Sequence, residues 1–230
     1  NSGIILEIYQ CSFIDIMCDI TGSEGGAIYV RQASVILSCV LFELCRTVKN
    51  KAQVGGNAFN IGGNTIKMTD FSINQCWISN DCGESICMFQ DGFIEIKRGN
   101  MTKCDDSGAG ESICNNYLDK TCTDSFTNSI NCTLNYAHST IKGSGSREAS
   151  FSNVIDCKSK FLYKGGPSFT LKNCCFFRLK SISVIGSPKF INCICDFSRK
   201  GITKVSVEST IIFKFKSECG MTRSFTRAIG

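Results

Sequence analysis

The stretch "GGAIYVRQASVILSCVLFELC", residues 25–45, contains the pattern that decides the fold. Two glycines precede a short apolar run, a polar break follows, and a second apolar run ends in cysteine. Related segments begin at Gly55 ("GGNAFNI"), Gly83 ("GESICMF") and Gly110 ("GESICNN"), so the starts are 30, 28 and 27 residues apart. Self-similarity at a nearly fixed period predicts a stacked repeat array.

Weaker copies of the same segment continue the array toward the C-terminus. They begin at Arg147 ("REASFSN"), Gly165 ("GGPSFTL") and Gly186 ("GSPKFIN"), and the interval shortens to about 20 residues, still within the range of solenoid repeats. We expect the repeated glycines to form corners of the coil, because glycine readily adopts the left-handed conformation. These glycines are Gly25, Gly26, Gly55, Gly56, Gly83, Gly110, Gly165 and Gly166.

The second half of the unit repeats as well. Residues 35–45 align without gaps with residues 66–76 and 94–104, and each of these segments ends in cysteine. Equivalent positions of a stacked repeat fall in columns, so the pattern predicts one column of cysteines. Its expected members are Cys18, Cys45, Cys76, Cys104 and Cys132.

The apolar runs have the length and spacing of short strands. They are four to eight residues long, often alternate with polar residues, and are bounded by Gly, Asn, Ser and Asp. A propeller blade needs about 40 residues, and antiparallel meanders favour Asn-Gly or Asp-Gly turns, so neither fits as well. We therefore predict an all-β parallel β-helix of about eight coils, right-handed like other parallel crossovers. Residues 1–230 are expected to form one solenoid within a longer chain, regular over 1–135 and shorter, more basic and degenerate over 145–230.

Seventeen cysteines allow two structural roles. Cysteine is small and commonly buried, so the column fits an interior row. Alternatively, disulfides cross a corner, since stacked strands bring backbones within disulfide range. Structural zinc is disfavoured, because no CxxC pair is present and His138 is the sole histidine. The corner pairs considered are Cys11 with Cys18, Cys39 with Cys45, and Cys76 with Cys82.

No residues emerge as catalytic, cofactor-binding or metal-binding. Asp105 and Asp106 are the best local pair of carboxylates, and the "CDDSG" context predicts a solvated turn. Consecutive strand residues point to opposite faces, so the pair converges only if this segment is a turn. His138, in "YAHST", is predicted to lie in an exposed loop without a catalytic partner.

The charge is unevenly distributed along the chain. Residues 1–141 contain 9 Lys and Arg against 15 Asp and Glu, whereas residues 142–230 contain 16 against 5. Basic residues at coil-like intervals predict a ladder that attracts acidic glycans or anionic cell surfaces, or else lysines that keep a β surface soluble. Nucleic acid is not an expected partner, because aromatic residues follow the apolar strand positions. The ladder consists of Lys158, Lys160, Lys164, Lys172, Arg178, Lys180 and Lys189.

The repeats resemble those of polymorphic outer membrane proteins of chlamydial type, in which "GGAI" alternates with "FxxN". "GGAI" is intact at residues 25–28, and "FELC" at residues 42–45 has cysteine where that family has asparagine. The repeats are also similar to cysteine-bearing, right-handed β-helix surface proteins of parasitic protists. The resemblance implies an extracellular or cell-surface module used in adhesion or antigenic display. The alternative, known for other β-helix proteins, is a polysaccharide lyase or glycoside hydrolase.

Overall fold

The computed structural model describes residues 3–18, 26–47, 56–78, 85–90, 92–106, 111–116, 121–142, 146–164, 169–180, 183–185, 188–195 and 211–212. All regular secondary structure within these residues is β-strand. The strands are β1 (Ile5–Tyr9), β2 (Ser12–Ile14), β3 (Met17–Cys18), β4 (Ile28–Val30), β5 (Ser34–Glu43), β6 (Arg46–Thr47), β7 (Gly56–Gly62), β8 (Thr65–Asn74), β9 (Trp77–Ile78), β10 (Ser85–Gln90), β11 (Phe93–Thr102), β12 (Asp105–Asp106), β13 (Glu111–Asn116), β14 (Cys122–Ser125), β15 (Asn128–Ile130), β16 (Thr133–Lys142), β17 (Arg147–Ser150), β18 (Asn153–Ile155), β19 (Lys158–Lys164), β20 (Phe169–Lys172), β21 (Cys175–Phe177), β22 (Ser183–Ile185), β23 (Lys189–Ile191), β24 (Cys193–Cys195) and β25 (Ile211–Ile212).

The strands stack into two parallel sheets. In the first sheet, each level of the stack is one strand or two consecutive strands of the same coil. From the N-terminal end the levels are β1 and β2, β5, β8, β11, β14 and β15, β17 and β18, β20 and β21, β23 and β24, and β25. The second sheet stacks β3, β6, β9, β12, β16 and β19 along one run and β4, β7, β10 and β13 along another. The prediction of an all-β parallel solenoid is confirmed. The coil number differs slightly, because the first sheet has nine levels when β25 is counted, and the right hand stays a prediction.

One coil has a fixed internal plan, which β5 and β6 illustrate. The backbone of β5 turns at Cys39 and again at Leu44, and both residues have φ of 55°. The residue after each turn, Val40 or Cys45, points inward and is buried. Each coil of the first sheet therefore consists of two short strands and two corners, and each corner is followed by an inward side chain.

The two corners of each first-sheet coil are formed by residues other than glycine. The predicted glycine corners precede strands of the second sheet, and they stay a prediction because most of these glycines lie outside the described residues. Gly26 lies in a bend before β4, Gly56 opens β7 opposite Ser85, and the other predicted glycines lie outside the described residues. Both corners can hold larger residues in the left-handed conformation because hydrogen bonds to neighbouring coils fix the backbone on either side. We call Gln10, Cys39, Asp70, Arg98, Phe126, Phe151, Asn173 and Asn192 the first-corner ridge, and Asp15, Leu44, Gln75, Lys103, Asn131, Asp156 and Arg178 the second-corner ridge.

The register agrees with the gap-free sequence alignment in one half of the repeat and departs from it in the other. Val35 lies opposite Ile66, which lies opposite Ile94, as predicted. In the second sheet, however, Cys87 lies opposite Ile113, one residue away from the alignment of the two "GESIC" segments. The identical "GESIC" sequences therefore do not determine how β10 pairs with β13. Contacts with the neighbouring sheet also influence this register.

The coils become shorter along the chain, as predicted. Side chains that meet across neighbouring coils are 31 residues apart at Thr69 and Ser38, 25 apart at Asn153 and Asn128, and 22 apart for the next such pair, Arg178 and Asp156. Early coils have a two-residue strand such as β9 or β12 and, separately, a strand such as β10 or β13. Later coils merge these two elements into one continuous strand, β16 or β19, which shortens the repeat.

Apolar side chains fill most of the interior. Phe42 stacks on Phe13 and contacts Phe59, whose ring centroid lies 5.2 Å from that of Phe89. Side-chain sizes are complementary between neighbouring coils. Gly99 leaves room for the Phe71 ring, because a Cβ at this position would lie 2.0 Å from the ring. The core therefore depends on complementary residue sizes in neighbouring coils.

Candidate functional site

Five cysteines lie one above another just inside the second corner. We call them the cysteine file, and they are Cys45, Cys76, Cys104, Cys132 and Cys157. The backbone carbonyl of each of the first four accepts a hydrogen bond from the residue that follows the next cysteine of the file, which places them at equivalent positions. All five are buried. Ile16 occupies the same position one coil before Cys45.

Cys18 does not belong to this column, so that part of the prediction is wrong. It lies opposite Thr47, two residues beyond the corner position. Cys157, which the sequence analysis missed, extends the column instead. The sequence signal was the "DCK" segment at residues 156–158, one coil after "NCT" at residues 131–133.

Each sulfur of the file faces two backbone carbonyl oxygens, and Cys157 and Cys104 illustrate the pattern. Cys157 Sγ lies 3.4 Å from the Ser129 oxygen and 3.3 Å from the Ile155 oxygen. Cys104 repeats this arrangement with the carbonyl of Ile73 in the preceding coil, at 3.8 Å. Carbonyl oxygens accept the S–H proton and would repel a bare thiolate. Burial raises the pKa of the Cys104 thiol in addition, so this central thiol is protonated.

The thiols of the file are free, and two of the corner disulfides considered from the sequence are not formed. Cys11 is a free thiol and so is not bonded to Cys18, and Cys39 and Cys45 are both free thiols. The third pair includes Cys82, which lies outside the described residues. Of the two roles predicted for the cysteines, the file therefore has that of a buried interior row. Cys175, on the outer side of β21, takes part in a disulfide bond.

A charged cluster lies inside the solenoid where the coils begin to shorten. Arg147 donates to Asp124 Oδ2 at 2.5 Å, and the side chains of both residues have no exposed surface. Thr127 and Ser152 donate to the other carboxylate oxygen at 2.9 and 3.0 Å. A buried ion pair of this kind persists only when further hydrogen bonds satisfy the carboxylate, as these two hydroxyls do.

This cluster replaces apolar residues of the neighbouring coils. Asp124 lies opposite Ile96 and Ala149, and Arg147 lies opposite Cys122 and Phe169. The small Ala149 two residues from Arg147 leaves room for the long side chain. The sequence analysis missed the cluster because it did not align the fifth and sixth coils. An Asp and an Arg at inward positions of those coils would have been the signal.

Carboxylates on the outer faces are paired with basic residues of the neighbouring coil. Arg98 binds Asp70 with two hydrogen bonds of 2.6 Å, and Arg178 binds Asp156 in the same way. The hydrogen bond from Arg98 lowers the pKa of Asp70. These pairs neutralise carboxylates individually and do not bring two carboxylates together.

The predicted basic ladder is divided between different faces. Lys158 and Lys180 form a parallel bridge on neighbouring levels of the second sheet, and Arg178 lies at the adjacent corner. Lys172 lies on the first sheet and donates to Glu148. Lys189 also lies on the first sheet, opposite Thr170, whereas Lys160 and Lys164 belong to β19 and their side chains are outside the described part.

The candidate catalytic residues considered from sequence lie in strands. Asp105 and Asp106 form β12, so the predicted turn is wrong, because pairing with β9 extends this segment. Asp105 is opposite Trp77 and Thr133. His138 lies within β16, in a strand where an exposed loop was predicted, and its side chain is outside the described part.

Two aromatic residues stand out on the first-corner ridge. Phe126 and Phe151 are 46% and 45% exposed, and their rings stack with centroids 5.0 Å apart and an interplanar angle of 5°. Their φ angles are 57° and 53°, a conformation that bulky residues rarely adopt. Arg98 precedes them on the ridge and Asn173 follows.

The face between the two corners has a ladder of amides. Asn128 donates to Asn100 Oδ1 at 2.7 Å, and Asn153 donates to Asn128 Oδ1 at 2.8 Å. Such amide ladders reinforce the backbone pairing of stacked strands. Asn128 and Asn153 are nearly buried, so the ladder contributes to the stacking of the coils.

Within the described residues, no group of three or more His, Cys, Asp or Glu side chains has a geometry suited to a metal ion. The same part of the chain contains no helix of the length and apolar character needed to cross a bilayer. No family model, curated protein or solved structure matches this chain.

Proposed function

We propose that this protein is a non-enzymatic binding module, secreted or displayed at a cell surface, which contacts its partner through exposed faces of the solenoid. The contact surface is the first-corner ridge around Phe126 and Phe151. The partner is a cell-surface molecule, and acidic glycans are the favoured class.

The observation that carries this proposal is the exposed aromatic pair. A large residue in the left-handed conformation costs about 1–3 kcal/mol. The stack between two such rings contributes only about 0.5–1.5 kcal/mol. Asparagine adopts this conformation more readily and is present at Asn173 and Asn192 of the same ridge. Two phenylalanines at these positions are therefore better explained by recognition than by stability.

The surroundings of the pair suit a surface that binds a polar, ring-containing ligand. Aromatic residues are enriched where proteins bind partners. Arg98 lies on the ridge beside them and supplies hydrogen-bond donors. The excess of basic residues over residues 142–230, 16 Lys and Arg against 5 Asp and Glu, supports an acidic partner. The repeat resemblance supports the extracellular or cell-surface location.

A binding assay with matched variants tests this function. Fluorescently labelled protein is applied to arrays of immobilised glycans that include heparin, and to cultured cells. Replacement of Phe126 and Phe151 by Asn should reduce binding at least tenfold while the solenoid stays folded. The control is Phe93→Thr, which removes an equally exposed aromatic residue of the first sheet, where Thr65 is the neighbour below.

Equal binding by both variants would contradict the proposal, and so would failure of the wild-type protein to bind any of these surfaces. The enzymatic alternative receives no support from the described residues. Carboxylates such as Asp70 and Asp156 pair with basic residues, and Asp105 lies in a strand opposite Trp77 and Thr133.

A further inference from the structure

We propose that Asn131 is an N-glycosylation site, which lies on the second-corner ridge and directs its glycan into solvent. The chain contains two Asn-x-Ser/Thr sequons, "NMT" at residues 100–102 and "NCT" at residues 131–133. A sequon of this kind accepts an oligosaccharide when it lies at the surface of a secreted protein. The proposal rests on the secreted or cell-surface location proposed above and applies to a eukaryotic secretory pathway.

The two recognition groups of the Asn131 sequon face outward together. Asn131 is exposed at the second corner, with a φ of 52°. The next residue, Cys132, is buried, and Thr133 lies on the outer side again, opposite Asp105 of the preceding coil. The acceptor amide and the hydroxyl two residues later therefore project from the same outer surface, on either side of an inward cysteine. Among the described residues, the Asn131 side chain takes part in no hydrogen bond.

The stack holds this sequon by its backbone. The Asn131 N–H donates to the Ile155 carbonyl of the following coil at 3.0 Å. The Thr133 N–H donates to the Cys104 carbonyl of the preceding coil at 2.9 Å. Since these bonds use main-chain groups alone, a modification of the Asn131 side chain leaves the pairing of the coils intact.

The other sequon has both of its recognition groups engaged between coils. Asn100 Oδ1 accepts a hydrogen bond from Asn128 at 2.7 Å, and the Thr102 hydroxyl donates to Asn74 Oδ1 at 2.9 Å. Asn100 is half-buried, and its partner Asn128 is 8% exposed. A glycan on the Asn100 amide would open this ladder. The folded chain should therefore carry no glycan at residue 100.

The surroundings of Asn131 suit a bulky, hydrophilic group. Its neighbours on the second-corner ridge are Lys103 and Asp156, and both are exposed. A glycan is large and solubilising, so it is compatible with charged, solvated neighbours. Asn131 follows Phe126 by five residues, which an extended strand spans in about 16 Å. The glycan is therefore attached to a different corner from the proposed contact surface.

The modification exchanges one N–H bond of the Asn131 amide for a bond to sugar. Asn131 Nδ2 attacks the anomeric carbon of an oligosaccharide that is carried on a polyprenyl pyrophosphate. The bond from this carbon to the pyrophosphate oxygen breaks, the lipid pyrophosphate leaves with the electron pair, and one amide proton passes to solvent. No oxidation or reduction takes place. The Thr133 hydroxyl completes the acceptor sequence that the transferase recognises.

Expression in mammalian cells tests the site. The full chain is produced behind a cleavable secretion signal, and the secreted and the cell-retained protein are both analysed by intact mass before and after peptide-N-glycosidase treatment. The wild-type protein should carry one glycan, which peptide mapping places at Asn131. Asn131→Gln should remove it, and glutamine fits because Gln75 occupies the equivalent corner with a φ of 52°. Asn100→Ser is the matched control and should keep the glycan, since Ser72 lies opposite Asn100 in the preceding coil.

Two changes at residue 133 test recognition without altering the asparagine. Thr133→Ser keeps the hydroxyl and should keep the glycan, whereas Thr133→Val should lose it. The proposal is overturned by a wild-type protein that lacks the glycan in both fractions, by a glycan at Asn100 of the secreted protein, or by a Thr133→Val variant that is still modified. Because the secretion signal is supplied, an unmodified Asn131 contradicts this proposal alone, and absence of binding in the glycan and cell assays contradicts the proposed function alone.

Discussion

Removal of one partner of the buried ion pair is the most direct test of the interior. Arg147→Met leaves Asp124 charged in a place where neither side chain has exposed surface. Breaking such a pair costs about 3–5 kcal/mol, and Asp124→Leu should cost a similar amount. The double variant restores apolar contacts like those of Ile96 and Phe169 in the same columns and should be about as stable as wild type or more stable. The expected coupling energy is therefore about 6–10 kcal/mol, since two costly single changes cancel.

The assay is urea unfolding at neutral pH with a reducing agent, followed by circular dichroism. The matched control is Arg178→Met, which breaks another Asp–Arg pair between neighbouring coils, but one that is 52% exposed at Arg178 and 40% at Asp156. An exposed pair contributes at most about 1 kcal/mol. If Arg147→Met destabilises the protein no more than Arg178→Met does, the buried pair does not have the energetic role derived above. A double variant as unstable as the two single changes added together would refute the reasoning as well.

Four further results are expected. Gly99→Ala should destabilise the protein by about 1–3 kcal/mol in the same unfolding assay, because the new methyl group overlaps the Phe71 ring, and Phe71→Val should restore most of the loss. Leu44→Asn should stabilise it by about 0.5–1 kcal/mol, since asparagine tolerates a φ of 55° better than leucine; unchanged or lower stability would argue against strain at this corner. Thiol labelling of the native protein should modify the half-buried Cys39 quickly and the cysteine file only after unfolding, as peptide mapping would detect; rapid labelling of the file would mean that it is not buried. Arg178 lowers the pKa of Asp156 below 3.8 in the folded state, so the stability from this pair is present above that pH and is lost as the pH falls through the lowered pKa. Asp156→Asn should therefore weaken the acid dependence of the urea midpoint, and an unchanged pH profile would contradict this.

Much of the first sheet could be predicted because stacking repeats the same environment in each coil. Val35, Ile66 and Ile94 face one interior column, so apolar residues recur there without gaps. The cysteine column was predicted for four of its five members for the same reason. Cys18 was misplaced because its distance from Cys45 resembles a repeat interval, whereas the hydrogen bonds place Ile16 at that corner.

The corners could not be assigned in this way. Glycine was the residue type expected at corners because its backbone is the least restricted, and the described corners of the first sheet, which were not predicted, use residues as different as Phe126 and Arg98. A corner of this kind is fixed by the hydrogen bonds of the coils above and below. The local sequence therefore contains little information about it.

The sequence by itself determined the fold class, the shortening of the coils and most of the cysteine column, because these follow from residue types that recur at nearly constant intervals. Only the tertiary structure decided which side chains meet across coils, as Asp124 and Arg147 do from positions 23 residues apart. It also decided that Phe126 and Phe151 lie exposed on a corner while Cys157 joins the file. The physical reason is that a shift of one residue in a parallel pairing moves a side chain from the interior to the surface, and the register depends on contacts between distant parts of the chain.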